Sequence, residues 1–198
     1  MQSATDALNT LCNPKNEVSA HYLIAESGDV YSLVPEAMRA WHAGAGAWGQ
    51  VSDVNSHSIG IELANDGFSP FAAAQMDALE ELLKGINTRW DIRPERIIGH
   101  SDMAPGRKID PGPRFDWQRL ARAGLAVWPQ GGTSAEADAF PHLLRRFGYT
   151  ATDDLELLLS VLRMRFRPLS TGPLCEEDLD VIADLARRYP VDAKGTWV

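Results

Sequence analysis

Four residues that can do hydrolytic chemistry stand close together in the stretch GHSDMAPGRKIDPG, residues 99–112: an imidazole at His100, carboxylates at Asp102 and Asp110, and an ammonium at Lys108. His100 and Asp110 are ten positions apart, and Pro105, Gly106, Pro111 and Gly112 between and beyond them argue against regular structure and for a loop that turns back. Such a loop lets the imidazole and the carboxylate converge on one ion. Zinc accepts N and O donors of this kind, and hydrolytic zinc sites keep one position for water. Lys108 would then project beside that water, where a fixed ammonium stabilises an oxyanion. The competing meaning of a His-Asp-Lys loop is a solvated turn, and two donors alone do not define a metal site.

The elements that must hold this loop are readable around it. Arg96-Ile97-Ile98 reads as a short apolar strand ending at Gly99, which places His100 at a strand end. Before it, Pro70 and the periodic apolar positions Phe71, Ala74, Met76, Leu79, Leu82, Leu83 and Ile86 predict the longest helix, over 70–90. Ser58 to Leu63 reads as a buried strand with one acid, Glu62. A carboxylate in an apolar strand costs free energy unless it is paired, neutralised or used. Val18–Ile24 and Val30–Val34 predict two strands of a hairpin around Glu26-Ser27-Gly28-Asp29. His21, inside the first of them, reads as a core histidine satisfied by hydrogen bonds. The run AWHAGAGAWG is a loop of small residues that admits close approach of a ligand to the backbone, with Trp41 and Trp48 as flat apolar walls or core plugs. A helix over 3–12 opens the chain, with Ser3 or Thr5 as N-cap, and another is expected over 115–123.

The blocks VSAHYLI (18–24), LVPE (33–36), AWHAG (40–44), SIGIEL (58–63) and GHSDMAPGRKIDPG (99–112) occur in one order that closely resembles the type 2 N-acetylmuramoyl-L-alanine amidases. The resemblance implies a zinc-dependent hydrolase that cleaves the amide between N-acetylmuramic acid, or its 1,6-anhydro form, and L-alanine of the peptidoglycan stem. It implies His100 and Asp110 as zinc ligands, Glu62 as general base, Lys108 as oxyanion stabiliser, and Trp41, His42, Ala43 and Gly44 as a substrate-binding loop. In these amidases a helix like that at 3–12 follows a first core strand ending in the first zinc-ligand histidine. No counterpart precedes it here, so the expectation is an incomplete zinc site and a start assigned too late. The rival class is a non-catalytic peptidoglycan or muropeptide binder using the same cleft. No Ser or Cys stands in a nucleophile motif, which disfavours a metal-free hydrolase.

The expected architecture is α+β. A mixed β-sheet packed with helices occupies 1–130, a Gly/Ser/Thr linker follows at 131–136, and three short helices over 137–147, 155–166 and 176–189 form a small all-α module spanning 137–198. Its LLRRFGY and RMRFRP segments are similar to the peptidoglycan-binding module that follows the catalytic domain in some of these amidases. Arg163, Arg165 and Arg167 are its candidates for contacting peptide carboxylates, the alternative being a solvated face. On this division the first domain folds and works without the second.

The 198 residues carry a formal net charge of −8, with acids outnumbering bases in both parts, which argues against nucleic acid or an anionic membrane as partner. No apolar run is long enough to span a bilayer. The first residues show neither a basic start nor an apolar core of a leader, so the expectation is a cytoplasmic monomer acting on peptidoglycan fragments. Cys12 and Cys175 have no CxxC companion and read as unpaired thiols.

Overall fold

The computed structural model describes residues 3–192. Helix α1 (Ala4–Leu11) opens them, and Ser3 caps it by accepting from the Asp6 N–H at 3.1 Å. Then come the strands β1 (Tyr22–Ile24) and β2 (Val30–Ser32), paired antiparallel with Leu23 opposite Tyr31. Strand β3 (Ile61–Leu63) pairs parallel with β1, Leu23 lying opposite Glu62, so the sheet order is β2-β1-β3. The three strands expected within 18–63 are present but shorter at their outer ends. One prediction needs correcting: β3 is half-exposed along its length rather than buried, because among the described residues it has a strand on one side alone.

Helix α2 (Ala73–Trp90) lays Met76, Leu79, Leu83 and Ile86 on the sheet, the amphipathic face expected from their spacing. It starts three residues after Pro70. Gln75 is fully buried and donates to the carbonyls of Ile24 and Ala64 at 2.9 and 3.1 Å, tying the helix to the ends of β1 and β3. At the other end, Glu36 of the LVPE block gathers Tyr22 Oη, the Arg89 guanidinium and Trp90 Nε1. That cluster locks the hairpin to the end of α2, and the Arg89 hydrogen bonds hold the Glu36 carboxyl down at about 2.

The expected strand at 96–98 is absent. Pro94–Arg96 is a 3-10 turn and Ile97-Ile98 runs extended beside no described strand, so it has no ladder to join. A ladder, not apolar composition, makes a strand. The loop expectation for 99–112 is corrected as well: it opens with one helical turn, α3 (His100–Met103), so His100 stands at the first residue of a helix and not at a strand end. Helix α4 (Trp117–Arg122) follows, shorter than its predicted range.

The three helices of the second part are α5 (Phe140–Phe147), α6 (Leu155–Phe166) and α7 (Glu176–Arg188), close to their predicted bounds. They do not stand apart. One apolar core joins Ala43, Trp48, Val54, Met103, Ala104 and Val127 of the first part to Phe140, Phe147, Tyr149, Leu162, Phe166 and Ile182 of the second. A second core lies between the sheet, α2 and α4, and Trp128 packs against both. The segment at 131–136 has no regular structure, yet it is tied to α7: Gln130 N–H, just before it, donates to Asp184 at 2.8 Å, and Thr133 N–H, within it, to Asp180 at 2.5 Å. No helix among the described residues is long and apolar enough to cross a membrane. Cys12 and Cys175 are both free.

Candidate active site

The turn α3 and the loop after it bring His100 and Asp110 together, with Nδ1 of the imidazole 2.5 Å from Oδ2 of the carboxylate. Three backbone contacts set this geometry. Ser101 N–H donates to the Asp110 carbonyl at 2.9 Å, Lys108 N–H donates to the Ala104 carbonyl at 3.0 Å, and Gly99 packs on the Pro111 ring. A Cβ on Gly99 would lie 2.5 Å from Pro111 Cδ, so this position needs glycine for close approach rather than for its dihedral angles. The His100 side chain is mostly buried and that of Asp110 about half exposed. Burial alone would raise the Asp110 carboxyl. The His100 hydrogen bond and the charges of His100 and Lys108 outweigh it and hold the group below the ordinary carboxylate value.

The other two histidines of this region have different tasks. His21 is buried, accepts from Gly60 N–H at Nδ1 (2.9 Å) and lies 2.9 Å from the Met38 carbonyl at Nε2. The first bond assigns Nδ1 as the acceptor, so Nε2 carries the proton and donates. Both nitrogens are engaged, as expected of a structural histidine, and neither is available to a metal. His42 stacks on His100 with ring centroids 6.0 Å apart. Its Nε2 faces Ser58 Oγ at 3.3 Å, and since that hydroxyl gives its proton to the Val54 carbonyl, the imidazole is the donor. Burial, then the charges of His100 and His21, push His42 down to about 4, so at neutral pH it is an uncharged wall against His100.

Gly60 links this wall to Glu62. A Cβ on Gly60 would lie 2.3 Å from the His42 ring, so that side of the chain faces His42. In extended chain, residues two apart share a side. Glu62 therefore leaves β3 on the side where His42 and His100 stack.

The Ala-Gly loop is clamped to the segment that carries His100 and Asp110. Arg107 donates from Nε to the Ala45 carbonyl at 2.9 Å and from Nη2 to the Ala43 carbonyl at 2.5 Å, and Ala47 N–H donates to the Met103 carbonyl at 2.8 Å. Asn55, nearly buried, accepts from the N–H groups of His42 and Ala43. Ala43 is thus buried with its backbone groups in use, while Gly44 remains at the turn beside Arg107. Trp48 plugs the core against Phe147 and Tyr149. Trp41 stays more than half exposed, with the Arg39 guanidinium 4.2 Å over its ring. Asn55 and Arg107 escaped sequence reasoning, because each works through a partner far away in the chain.

The three arginines proposed to face peptide are all turned inward. Arg163 pairs with Asp178 and donates to the carbonyls of Gly172 and Pro173, Arg165 pairs with Asp102, and Arg167 meets Asp178 and Cys175. Two of them are nearly inaccessible to solvent, so the arginine run is neither a ligand face nor a solvated one.

The donor chemistry of His100 and Asp110 fits a zinc-type ion in kind and in convergence. Among the described residues no group of three or more His, Cys, Asp or Glu could hold a metal, so these two form a partial donor set.

The mixed sheet with helices packed on it is an α+β architecture, and the turn α3 presents an imidazole–carboxylate pair. The family model described as N-acetylmuramoyl-L-alanine amidase matches residues 1–113. The N-acetylmuramoyl-L-alanine amidase AmiD of Escherichia coli is 35% identical over 89% of this chain and 76% of its own length. The 1,6-anhydro-N-acetylmuramyl-L-alanine amidase AmpD of Enterobacter cloacae is 42% identical over 52% of this chain, which spans 55% of that relative. Among solved structures, the complex of Escherichia coli AmiD with anhydro-N-acetylmuramic acid-L-Ala-D-gamma-Glu-L-Lys superposes with a TM-score of 0.86 over 94% of this chain and 85% of the other. AmpDh3 of Pseudomonas aeruginosa in complex with anhydromuramic pentapeptide gives 0.83, at 32% identity, over 95% and 88%. This chain belongs to the N-acetylmuramoyl-L-alanine amidase family.

Proposed function

We propose that this protein hydrolyses the amide between N-acetylmuramic acid, including its 1,6-anhydro form, and L-alanine of a peptidoglycan stem peptide. The observation that carries the reading is the convergence of His100 and Asp110 beside Lys108, on the side of β3 from which Glu62 leaves. Family membership and two solved relatives holding anhydromuropeptides support it.

His100 and Asp110 would hold zinc. The chemistry supplied there is Lewis acidity, which acidifies water and polarises the scissile carbonyl. Glu62 takes a proton from the attacking water and returns it to the departing alanine nitrogen. The Lys108 ammonium balances the charge that develops on the carbonyl oxygen. The C–N bond breaks, leaving a lactyl carboxylate on the sugar and a free amine on the peptide. Trp41 offers an exposed apolar face for the glycan, and the backbone around Gly44, held by Arg107, forms the adjoining wall. The neutral His42 supports the His100 ring without competing for a proton. A protein that only binds muropeptide needs neither a base at Glu62 nor a cation at Lys108.

The test is incubation of the zinc-supplemented protein with anhydromuropeptide, with products read by liquid chromatography and mass spectrometry. Free stem peptide is expected, and its release should be lost in His100→Ala and Asp110→Ala together with bound zinc. Unchanged zinc content in both variants contradicts the ligand assignment.

A further inference from the structure

The helical turn that presents His100 is held from outside by a residue of the C-terminal helices. Arg165, on α6, is buried, donates from Nη1 to Asp102 Oδ2 at 2.6 Å and from Nη2 to the Ile97 carbonyl at 3.0 Å. These two acceptors stand on either side of His100. The same Asp102 oxygen accepts from Gly99 N–H at 2.8 Å, and its other oxygen accepts from the hydroxyl of buried Tyr149 at 2.9 Å. The Trp117 ring lies 4.0 Å under the guanidinium and fixes its plane. Every polar hold on the Asp102 side chain therefore comes either from the turn itself or from the C-terminal part of the chain.

We propose that Arg165 is a positioning residue for the amidase site: by bridging Ile97 and Asp102 it sets the orientation of the turn carrying His100, so the C-terminal helices complete the catalytic apparatus. This rests on the amidase reading for its link to turnover, but the positioning itself is a statement about the turn. A fork that holds two acceptors at once and stacks on an indole is specific to arginine, and lysine provides one point of charge where arginine provides two aligned donors. Arg165→Lys keeps the charge beside Asp102 and gives up the bridge.

The experiment compares Arg165→Lys with Leu162→Ala, which removes a fully buried side chain from the same helix and leaves the Arg165 bridge in place. Three quantities are read well below each variant's unfolding temperature: amide exchange of the segment 97–104, affinity of the metal-free protein for zinc, and kcat/KM on anhydromuropeptide. Arg165→Lys is expected to speed exchange of the Gly99 and Asp102 amides by about tenfold or more through local opening. Zinc affinity should weaken roughly tenfold to hundredfold, as when a group orienting a metal ligand is lost, and kcat/KM should fall about 10²-fold, the scale of a small misplacement. Leu162→Ala should lower the unfolding midpoint at least as much yet leave all three quantities within about twofold, because the bridge to Ile97 and Asp102 is kept. Wild-type exchange and zinc affinity in Arg165→Lys would overturn the proposal, as would equal changes in Leu162→Ala. Exchange and affinity are read without substrate, so failure of the positioning is distinguishable from failure of the amidase reading.

Discussion

Glu62 is a half-exposed carboxylate on a short strand, and its value lies in direction: it leaves β3 on the side that Gly60 turns to His42. Replacing it with Gln keeps the shape and removes the basicity. Glu62→Gln should therefore retain zinc, measured by metal analysis, and lose kcat by at least about 10²-fold, the usual scale of a general base. Gly60→Ala tests the neighbouring contact. Its new methyl would meet the His42 ring at 2.3 Å, so the ring or the strand must shift, costing about 1–3 kcal/mol as overpacked cores do. Chemical denaturation would measure that loss, and an unchanged midpoint would show that the ring yields freely. At this scale the sequence displays His100, Lys108 and Asp110 because they sit in one short loop, and Glu62 because an acid stands out among apolar neighbours. It conceals Asn55, Arg107 and the partners of Asp102, because folding brings these groups together from distant parts of the chain.

Among the elements, helices α2, α5, α6 and α7 are legible because an amphipathic repeat or an apolar run with terminal signals recurs over two turns or more. Ile97-Ile98 is not, because a short apolar run becomes a strand where a neighbour offers a ladder, and no local pattern reports that neighbour. The hold between the hairpin and the end of α2 carries a pH prediction. Glu36 has its folded value lowered from 4.5 to about 2, chiefly by Arg89. A carboxyl depressed in this way contributes stability that is fully present above its unfolded value and is lost as pH falls through the folded one. Unfolding free energy should thus decline as pH is taken from about 5 towards 2, and Glu36→Gln should be less stable at neutral pH with a shallower acid limb. Equal acid slopes for the two proteins, measured by denaturant titration, would show that other carboxylates carry the effect.

The whole molecule departs most from what the sequence suggests. A Gly/Ser/Thr run followed by three helices reads as a detachable module, but composition reports on a segment's own stiffness and not on what its flanks bind. Here Gln130 and Thr133 hydrogen-bond to α7, and the helices supply the greater part of a core that also contains Trp48, Val54, Met103 and Ala104. Removing residues 131–198 would expose those side chains and leave Asp102 without Arg165 and Tyr149. Losing one partner of a buried ion pair costs about 3–5 kcal/mol, a large part of a domain's total stability. The truncated chain should lack a cooperative urea transition and bind a hydrophobic dye, whereas a sharp transition near that of the full chain would show that the first part folds alone.

The central claim, that water is added across the muramyl–alanine amide, is tested most directly by running the reaction in water enriched in oxygen-18 with the zinc-supplemented full chain and an anhydromuropeptide. The expected result is one heavy oxygen in the lactyl carboxylate of the sugar product, none in the peptide, and a stem peptide beginning with a free L-alanine amine. Label in a peptide carboxylate, or intact substrate after prolonged incubation with protein that has bound zinc, would contradict it.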